Sequence, residues 1–254
     1  MLQIKEITEY LDELLDIRAI PGDASNNGLQ VEAGEFVQKA VFGVDACQAL
    51  FDAALAKKAD FVFVHHGLSW GSEPRRFTGI TASRLELLFK NGISLYAAHL
   101  PLDAHHKIGH NALLADMIKL RKRYSFANYS GCDIACGGVL PEASTVTQLA
   151  EKFESGLDCK AQVFGNLNKK LEKIGIISGC GGMDGLMACI AEEIDCYVTG
   201  EMTHSMYHFV KESGMTVITL GHYHSETPGV RAVMNEVEKK FEINCEFIDI
   251  PTGL

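Results

Sequence analysis

No stretch of the 254-residue chain approaches the ~18 consecutive apolar residues that a membrane span needs. The opening residues, MLQIKEITEYLDELLDI, carry acids throughout and lack the apolar core of a secretory signal, so a cytoplasmic protein is expected. Positive charge is also short. Against 33 Asp and Glu stand 23 Lys and Arg, a formal net charge of −10. That balance disfavours a general binder of phosphate backbones and argues against nucleic acid as a partner. It still admits a small anionic ligand, because a metal ion can supply positive charge locally. None of the eight cysteines forms a Cys-x-x-Cys pair. The nearest two, Cys132 and Cys136, lack two further matched ligands for a zinc site, so the cysteines read as mostly buried thiols. The hydrophobic fraction of 47% suffices for a real core, and the length allows one large domain or two smaller ones.

What is present is a repeating order of elements. Ile4, Ile7, Leu11, Leu14 and Leu15 recur at helical spacing. A turn-rich loop, PGDASNNG, leads to short strands at GLQVE and KAVFGV. The helix CQALFDAALAKKA follows, with Asp45 as a candidate N-cap. Next come the strand FVFVH, a Gly- and Pro-bearing loop, the helix ASRLELLFKNG, the strand ISLYAAH and the helix NALLADMIKL. The second half runs the same way: helix STVTQLAEKFESG, strands KAQVFG and KIGIISG, helix DGLMACIAEEI, strand CYVTG, helix HSMYHFVKESG, strand MTVITLG and helix PGVRAVMNEVEKKF. Each half is α-β-(β-α)3. AKKADFVFVHHG aligns with AEEIDCYVTGEM, and KNGISLYAAH with ESGMTVITLGH, which argues for an internal duplication. The expected fold is therefore α/β, with two similar, intertwined halves (residues 1–124 and 125–254) and mainly parallel sheets. Two strands near IACGGVL and CEFIDI are left to complete the sheets or cross between the halves.

In open α/β sheets, functional groups gather beyond the carboxyl ends of strands. His65 and His66 end one strand here. His99 ends the next, with Asp103 four residues on, and His222 ends the matching strand of the second half, with Glu226 four residues on. Singly, each has an ordinary reading: a satisfied core histidine, an Asx turn, or a carboxylate ahead of the helix start at Thr227-Pro228. Converging on equivalent strand ends of two similar halves, they read as one site between them. Adjacent His65 and His66 point to opposite sides of a strand and suit two neighbouring ions, which a two-metal site holds ~3.5–4 Å apart. Two divalent ions outweigh two carboxylates and leave charge for hydroxide and an anionic substrate. Metal-bound water can ionise near neutral pH. The imidazole content favours Zn, Fe, Co, Ni or Mn over Mg or Ca.

VHHGLSW, HLPLDAH, VTGEMTHSMYH and LGHYHSETPGVRA, with NNGLQVE near the start, resemble the GTP cyclohydrolase 1 type 2 homologues, the NIF-three-like dinuclear-metal proteins. The resemblance covers the whole chain and matches the short form without a central insertion. It implies metal ligands at His65, His66, Asp103, His222 and Glu226, with Glu226 as bridge and catalytic residue. It also implies two divalent ions per chain and a toroidal homohexamer with the metal sites facing an inner cavity. The implied reaction opens the imidazole ring of GTP by attack of a metal-bound hydroxide at C8, releasing formate. No sequence feature reads guanine. Hydrolysis of another nucleotide or a phosphoester stays open, as does a ring-shaped metal-binding scaffold or regulatory protein without GTP chemistry.

Further residues are candidates for the pocket or for outer contacts: His99, Glu201, His204 and His224. His224 stands out because this chain reads GHYHSE where many relatives read GHHATE. Glu201, His204 and His208 occupy the second-half position equivalent to the double histidine. His105, His106 and His110 read as a rim and LRKRY (120–124) as a solvated helix end; Trp70 and Phe77 could stack a base, but the favoured reading is loop aromatics folded onto the core.

Overall fold

The structure, a computed structural model, describes residues 1–71 and 76–254. Part of the Gly- and Pro-bearing loop expected after the double histidine, residues 72–75, lies outside the described residues. The chain forms two compact units, one of Met1–Leu102 with Val230–Ile250 and one of Asp103–Gly229 with Pro251–Leu254.

The first unit is built on a five-stranded sheet. Strands Lys39–Asp45, Phe61–His66 and Ser94–Ala97 run parallel in that order, Asn244–Phe247 adds in parallel beside the first, and Gly28–Val31 closes the far edge antiparallel. Strands buried on both faces read as unbroken apolar runs, which is why FVFV carries no polar alternation. On one face Val41, Val62, Val64 and Leu95 pack with Leu50, Phe51 and Leu88 of the helices Gln48–Ala56 and Gly79–Lys90. On the other, Phe42, Phe63 and Tyr96 form a ring stack with centroids 5.5 and 5.8 Å apart. The Tyr96 hydroxyl donates to Asp12 of helix Ile4–Leu14 at 2.7 Å.

The second unit repeats the pattern within a six-stranded sheet. Leu171–Ile177, Cys196–Thr199 and Thr216–Thr219 run parallel, and Gln162–Gly165 closes one edge antiparallel. The hairpin Arg121–Tyr129 and Cys132–Ser144 extends the other edge. Ile174, Ile176, Val198 and Ile218 pack with Leu149 and Phe153 on one side, while Ile177, Tyr197 and Val217 meet Leu186, Met206 and Val210 on the other. The duplicated core is visible in both sheets: three parallel strands in chain order and an antiparallel edge strand from just before them.

The repeats and the units are not coextensive. Helix His110–Met117, the last of the first repeat, packs with the second unit against Leu171–Ile177 and helix Val146–Leu157. Most of helix Thr227–Phe241, the last of the second repeat, belongs to the first unit. There Val230, Val233 and Val237 are buried and Phe241 meets Tyr10 edge-on at 5.2 Å. The unit changes fall after residues 102, 229 and 250.

Two local expectations are corrected. Residues 121–124 are no helix end but the start of strand Arg121–Tyr129. Positive φ values at Lys122 and Ala127 interrupt its alternation and hid its period. Asp45 does not cap a helix. It ends its own strand, and Cys47 holds the N-cap position.

Candidate metal centre

In the first unit, the end of strand Phe61–His66 and the residue after Ala98 bring three imidazoles together. Ring centroids lie 4.5 Å apart for His65 and His66, 5.1 Å for His65 and His99, and 5.6 Å for His66 and His99. Their ligating atoms lie within 4.8 Å of one another, close enough for the three to hold a metal ion. Each ring is oriented through Nδ1. His65 Nδ1 meets the Ala98 carbonyl, His66 Nδ1 the Asp45 carboxylate and His99 Nδ1 the Asp23 carboxylate, all at 2.8 Å. An acceptor at Nδ1 places the proton there and presents Nε2 as the ligating nitrogen, the arrangement that metal-binding histidines use.

Asp23 is itself held by its neighbours. It accepts from Ser25 N at 3.0 Å, Leu100 N at 3.0 Å and Asn27 Nδ2 at 2.8 Å, and Asn27 Oδ1 takes the His99 N–H at 2.8 Å. Burial would raise the Asp23 carboxyl, but the His99 ring and the bonds from Asn27 and Ser25 outweigh it and hold the group below the usual carboxylate range. Gln30 clamps the segment after the histidines. Its Oε1 accepts from Leu68 N at 2.7 Å and Ser69 N at 3.1 Å. Gly67 leaves room for it, since a Cβ there would lie 2.3 Å from the Gln30 amide and displace the clamp. These contacts give NNGLQVE a physical reading.

In the second unit the carboxylates gather around a glycine-bearing strand end. Buried Asp103 accepts from the Ser178 hydroxyl at 2.7 Å, and Ser178 N donates to Asn111 Oδ1 at 2.7 Å. His222 Nδ1 meets Glu201 Oε1 at 2.9 Å and its Nε2 meets Glu226 Oε1 at 3.2 Å. Burial would lower the His222 pKa, but the flanking carboxylates of Glu226 and Glu201 outweigh it and hold the imidazole at about 9. A bound cation would take the place of that proton. Gly179 makes room for the pair. Its φ is +60°, and a Cβ there would lie 2.0 Å from Glu226 Oε1 and 3.0 Å from His222 Nε2. Beside Glu201, the Cys180 thiol is pushed up by partial burial and by that carboxylate.

The remaining candidates separate. His224 lines a cleft of about 430 Å³ together with Lys160, Gln162, Phe164, Glu201 and Met202. His204 and His208 are exposed. His110 is no rim residue: it is buried, and its Nδ1 accepts from Gly229 N at 3.1 Å. His105 and His106 stack at 5.1 Å, and both line a small hollow with Asp103 and Arg123. Trp70 and Phe77 do not fold onto the core. They are exposed, and Trp70 stands against His99. Thr227 is the first residue of its helix, with its hydroxyl donating to His224 O at 3.1 Å. Sequence reasoning missed Asp23, Asn27, Asp45, Gln30 and Ser178. Asp45 drew notice as a helix cap, Asp23 only within a turn-rich loop, and Asn27 and Gln30 only within the NNGLQVE stretch.

The donor chemistry fits a transition metal. Among the described residues, four imidazoles have Nδ1 engaged by a carboxylate or carbonyl, and the carboxylates of Asp103 and Glu226 are buried. An α/β protein with duplicated sheets and histidines oriented for cation ligation is the class these features define. The chain belongs to the Duf34/NIF3 (NGG1p interacting factor 3) family, whose sequence profile matches residues 2–253. It is 40% identical over 253 residues to a GTP cyclohydrolase 1 type 2 homolog of Archaeoglobus fulgidus, and 36% identical over 256 residues to that of Pyrococcus abyssi, covering 100% of each chain. Among solved structures, the protein ybgI, described as of unknown function, matches with TM-score 0.92 and 32% identity over 100% of both chains. TTHA1606 from Thermus thermophilus matches with TM-score 0.89 and 39% identity, again over 100% of both. Among the described residues no helix is long and apolar enough to cross a membrane.

Proposed function

We propose that the protein is a dinuclear metal-dependent hydrolase of the GTP cyclohydrolase type after which its relatives are named. Its ligands would be His65, His66, Asp103, His222 and Glu226, with Glu226 shared by two divalent ions of Zn, Fe, Mn, Co or Ni. The observation that carries the reading is the repeated use of Nδ1 acceptors on His65, His66 and His222, which orients imidazoles as metal sites require. Bound ions would supply Lewis acidity and a nucleophile at neutral pH. The chain's own part is to fix the rings through Asp45, Glu201 and the Ala98 carbonyl, and to hold Glu226 buried against Gly179. The substrate class is a small anionic nucleotide, and the assembly a homohexamer.

The test is metal analysis of the purified protein, followed by GTP turnover by metal-reconstituted protein with formate detected. Glu226→Ala should lose both metal and turnover. Fully metallated protein that leaves GTP untouched but cleaves another nucleotide or a phosphoester would move the assignment within the hydrolases. One that turns over nothing yet retains a protein partner would make it a scaffold. Native mass spectrometry tests the assembly against six times 27.8 kDa.

A further inference from the structure

We propose that Trp70 is a stacking wall for the planar base of a purine nucleotide, forming one side of a substrate subsite next to the histidine cluster. The choice of a nucleotide rests on the function proposed above.

Trp70 is the chain's only tryptophan and is 40% exposed. A single exposed aromatic is ordinary. The amount of structure that fixes this one is not. Its Nε1–H donates to the Gly67 carbonyl at 2.9 Å, and its backbone bridges to Ser25. On either side, Asn26 N donates to Ser69 O at 3.1 Å and Gly71 N to Ala24 O at 2.7 Å. The Asn26 side chain reaches Ser69 Oγ at 2.7 Å, and Gln30 clamps Leu68 and Ser69. A ring immobilised before its ligand arrives loses less entropy on binding.

The surroundings indicate what the ring meets. The indole and the His99 imidazole lie 5.0 Å apart at 72°, and His66 lies 6.1 Å from the indole. Rings at that angle make a corner, not a sandwich. His99 is fixed in turn by Asp23 and Asn27. A flat bicyclic base laid on the indole would bring its edge to an imidazole. Stacking tolerates any base, so Trp70 would add affinity for purines without choosing guanine over adenine.

Because Trp70 is the only tryptophan, its emission reports on the wall itself. GTP, ATP and inorganic triphosphate are titrated into metal-loaded and chelator-treated protein. Both nucleotides should quench the emission saturably, and triphosphate should not. By calorimetry, Trp70→Ala should weaken GTP binding about tenfold, and Trp70→Phe by less than about threefold. Equal quenching by triphosphate, no quenching by any nucleotide, or unchanged GTP affinity in Trp70→Ala would overturn the proposal. So would emission that tracks protein concentration alone, which would make the indole a subunit contact. The two readings fail separately. GTP bound on Trp70 but never hydrolysed sinks the hydrolase and keeps the wall. GTP hydrolysed with unaltered KM in Trp70→Ala does the reverse.

Discussion

Asp60 and Asp195 hold the same station in the two sheets. Asp60 Oδ2 accepts from the backbone N–H groups of Gln38 and Lys39 at 2.8 and 3.1 Å. Asp195 Oδ2 accepts from Glu172 and Lys173 at 3.0 and 2.9 Å. Each residue's own N–H donates back, to Lys39 O at 2.9 Å and Lys173 O at 2.8 Å. Each carbonyl takes the first N–H of the next strand, Ser94 at 2.9 Å and Thr216 at 3.3 Å. One aspartate, through its carboxylate and its backbone, thus ties three parallel strands together at their starts. The left-handed residues two before them, Lys58 and Glu193, with φ of 56° and 53°, match as well.

Removing either carboxylate should cost the fold directly. Hydrogen bonds to a charged group are worth about 1.5–3 kcal/mol, less where solvent competes. Asp60→Ala and Asp195→Ala should each destabilise by about 1–3 kcal/mol in urea unfolding. Each variant leaves two backbone donors without their carboxylate. A loss below about 0.5 kcal/mol in both would remove the strand-pinning role.

Asp195 also predicts a pH dependence. Burial would raise its carboxyl, but the Lys173 N–H, the Lys169 ammonium at 3.0 Å and the Glu172 N–H outweigh it and hold the group low. The folded value therefore lies below the unfolded value of about 3.9. Its contribution is fully present above that pH and is lost as pH falls through the folded value. The difference in unfolding midpoint between the natural protein and Asp195→Asn should be steady from about pH 7 to 5 and close on further acidification. A difference that grows in acid contradicts the assignment.

How much of this was legible follows from what each signal depends on. The repeat was readable because doubly covered parallel strands need apolar runs, and FVFV and CYVT supply them. The histidines were readable because they interrupt such runs at the strand ends. Their partners were not. Asp23 sits in PGDASNNG, where an aspartate reads as a turn former, and Asp45 precedes a helix, where it reads as a cap. Both are joined to their histidines only by tertiary contact, across 76 and 21 residues. Trp70 was misjudged because exposure is decided by neighbours that spacing does not reveal.

Gly179→Ala should remove the centre from below. The substitution adds left-handed strain at φ +60° and sets a methyl 2.0 Å from Glu226 Oε1. Gly182→Ala is the control, with φ +56° and no atom within 4 Å of its Cβ. The control should lose about 1–2 kcal/mol and keep its metal. Gly179→Ala should lose more stability and its metal, as read by elemental analysis and thermal melting. Equal metal content in the two would detach Gly179 from the site.

Asp45→Asn keeps the size of the His66 partner and removes its charge. Orienting partners of ligating histidines are typically worth about 10–100-fold in metal affinity. Chelator competition should show a loss of about that size in Asp45→Asn, and none in Asp52→Asn, which removes an exposed carboxylate bonded to Gln48 on the following helix. Equal affinities in the two variants would mean that His66 binds no ion or is held by packing alone.

Metal removal tests the ligand set as a whole. A ligand that binds only the folded chain stabilises it by about 2.7 kcal/mol at a hundred times its dissociation constant. For a chain of this size, each kcal/mol moves the melting midpoint by about 2–4 °C. Saturating Zn, Mn or Co should therefore raise the midpoint of chelator-treated protein by about 5–11 °C. Glu226→Gln should abolish most of that gain, since it removes a buried charge that a cation would neutralise. His99→Gln separates two roles for the third imidazole: an undiminished gain assigns His99 to the substrate side of the cluster, and a halved one makes it a ligand. No gain with any of the three metals, in protein that is folded and chelator-free, would leave the oriented histidines without a cation to serve.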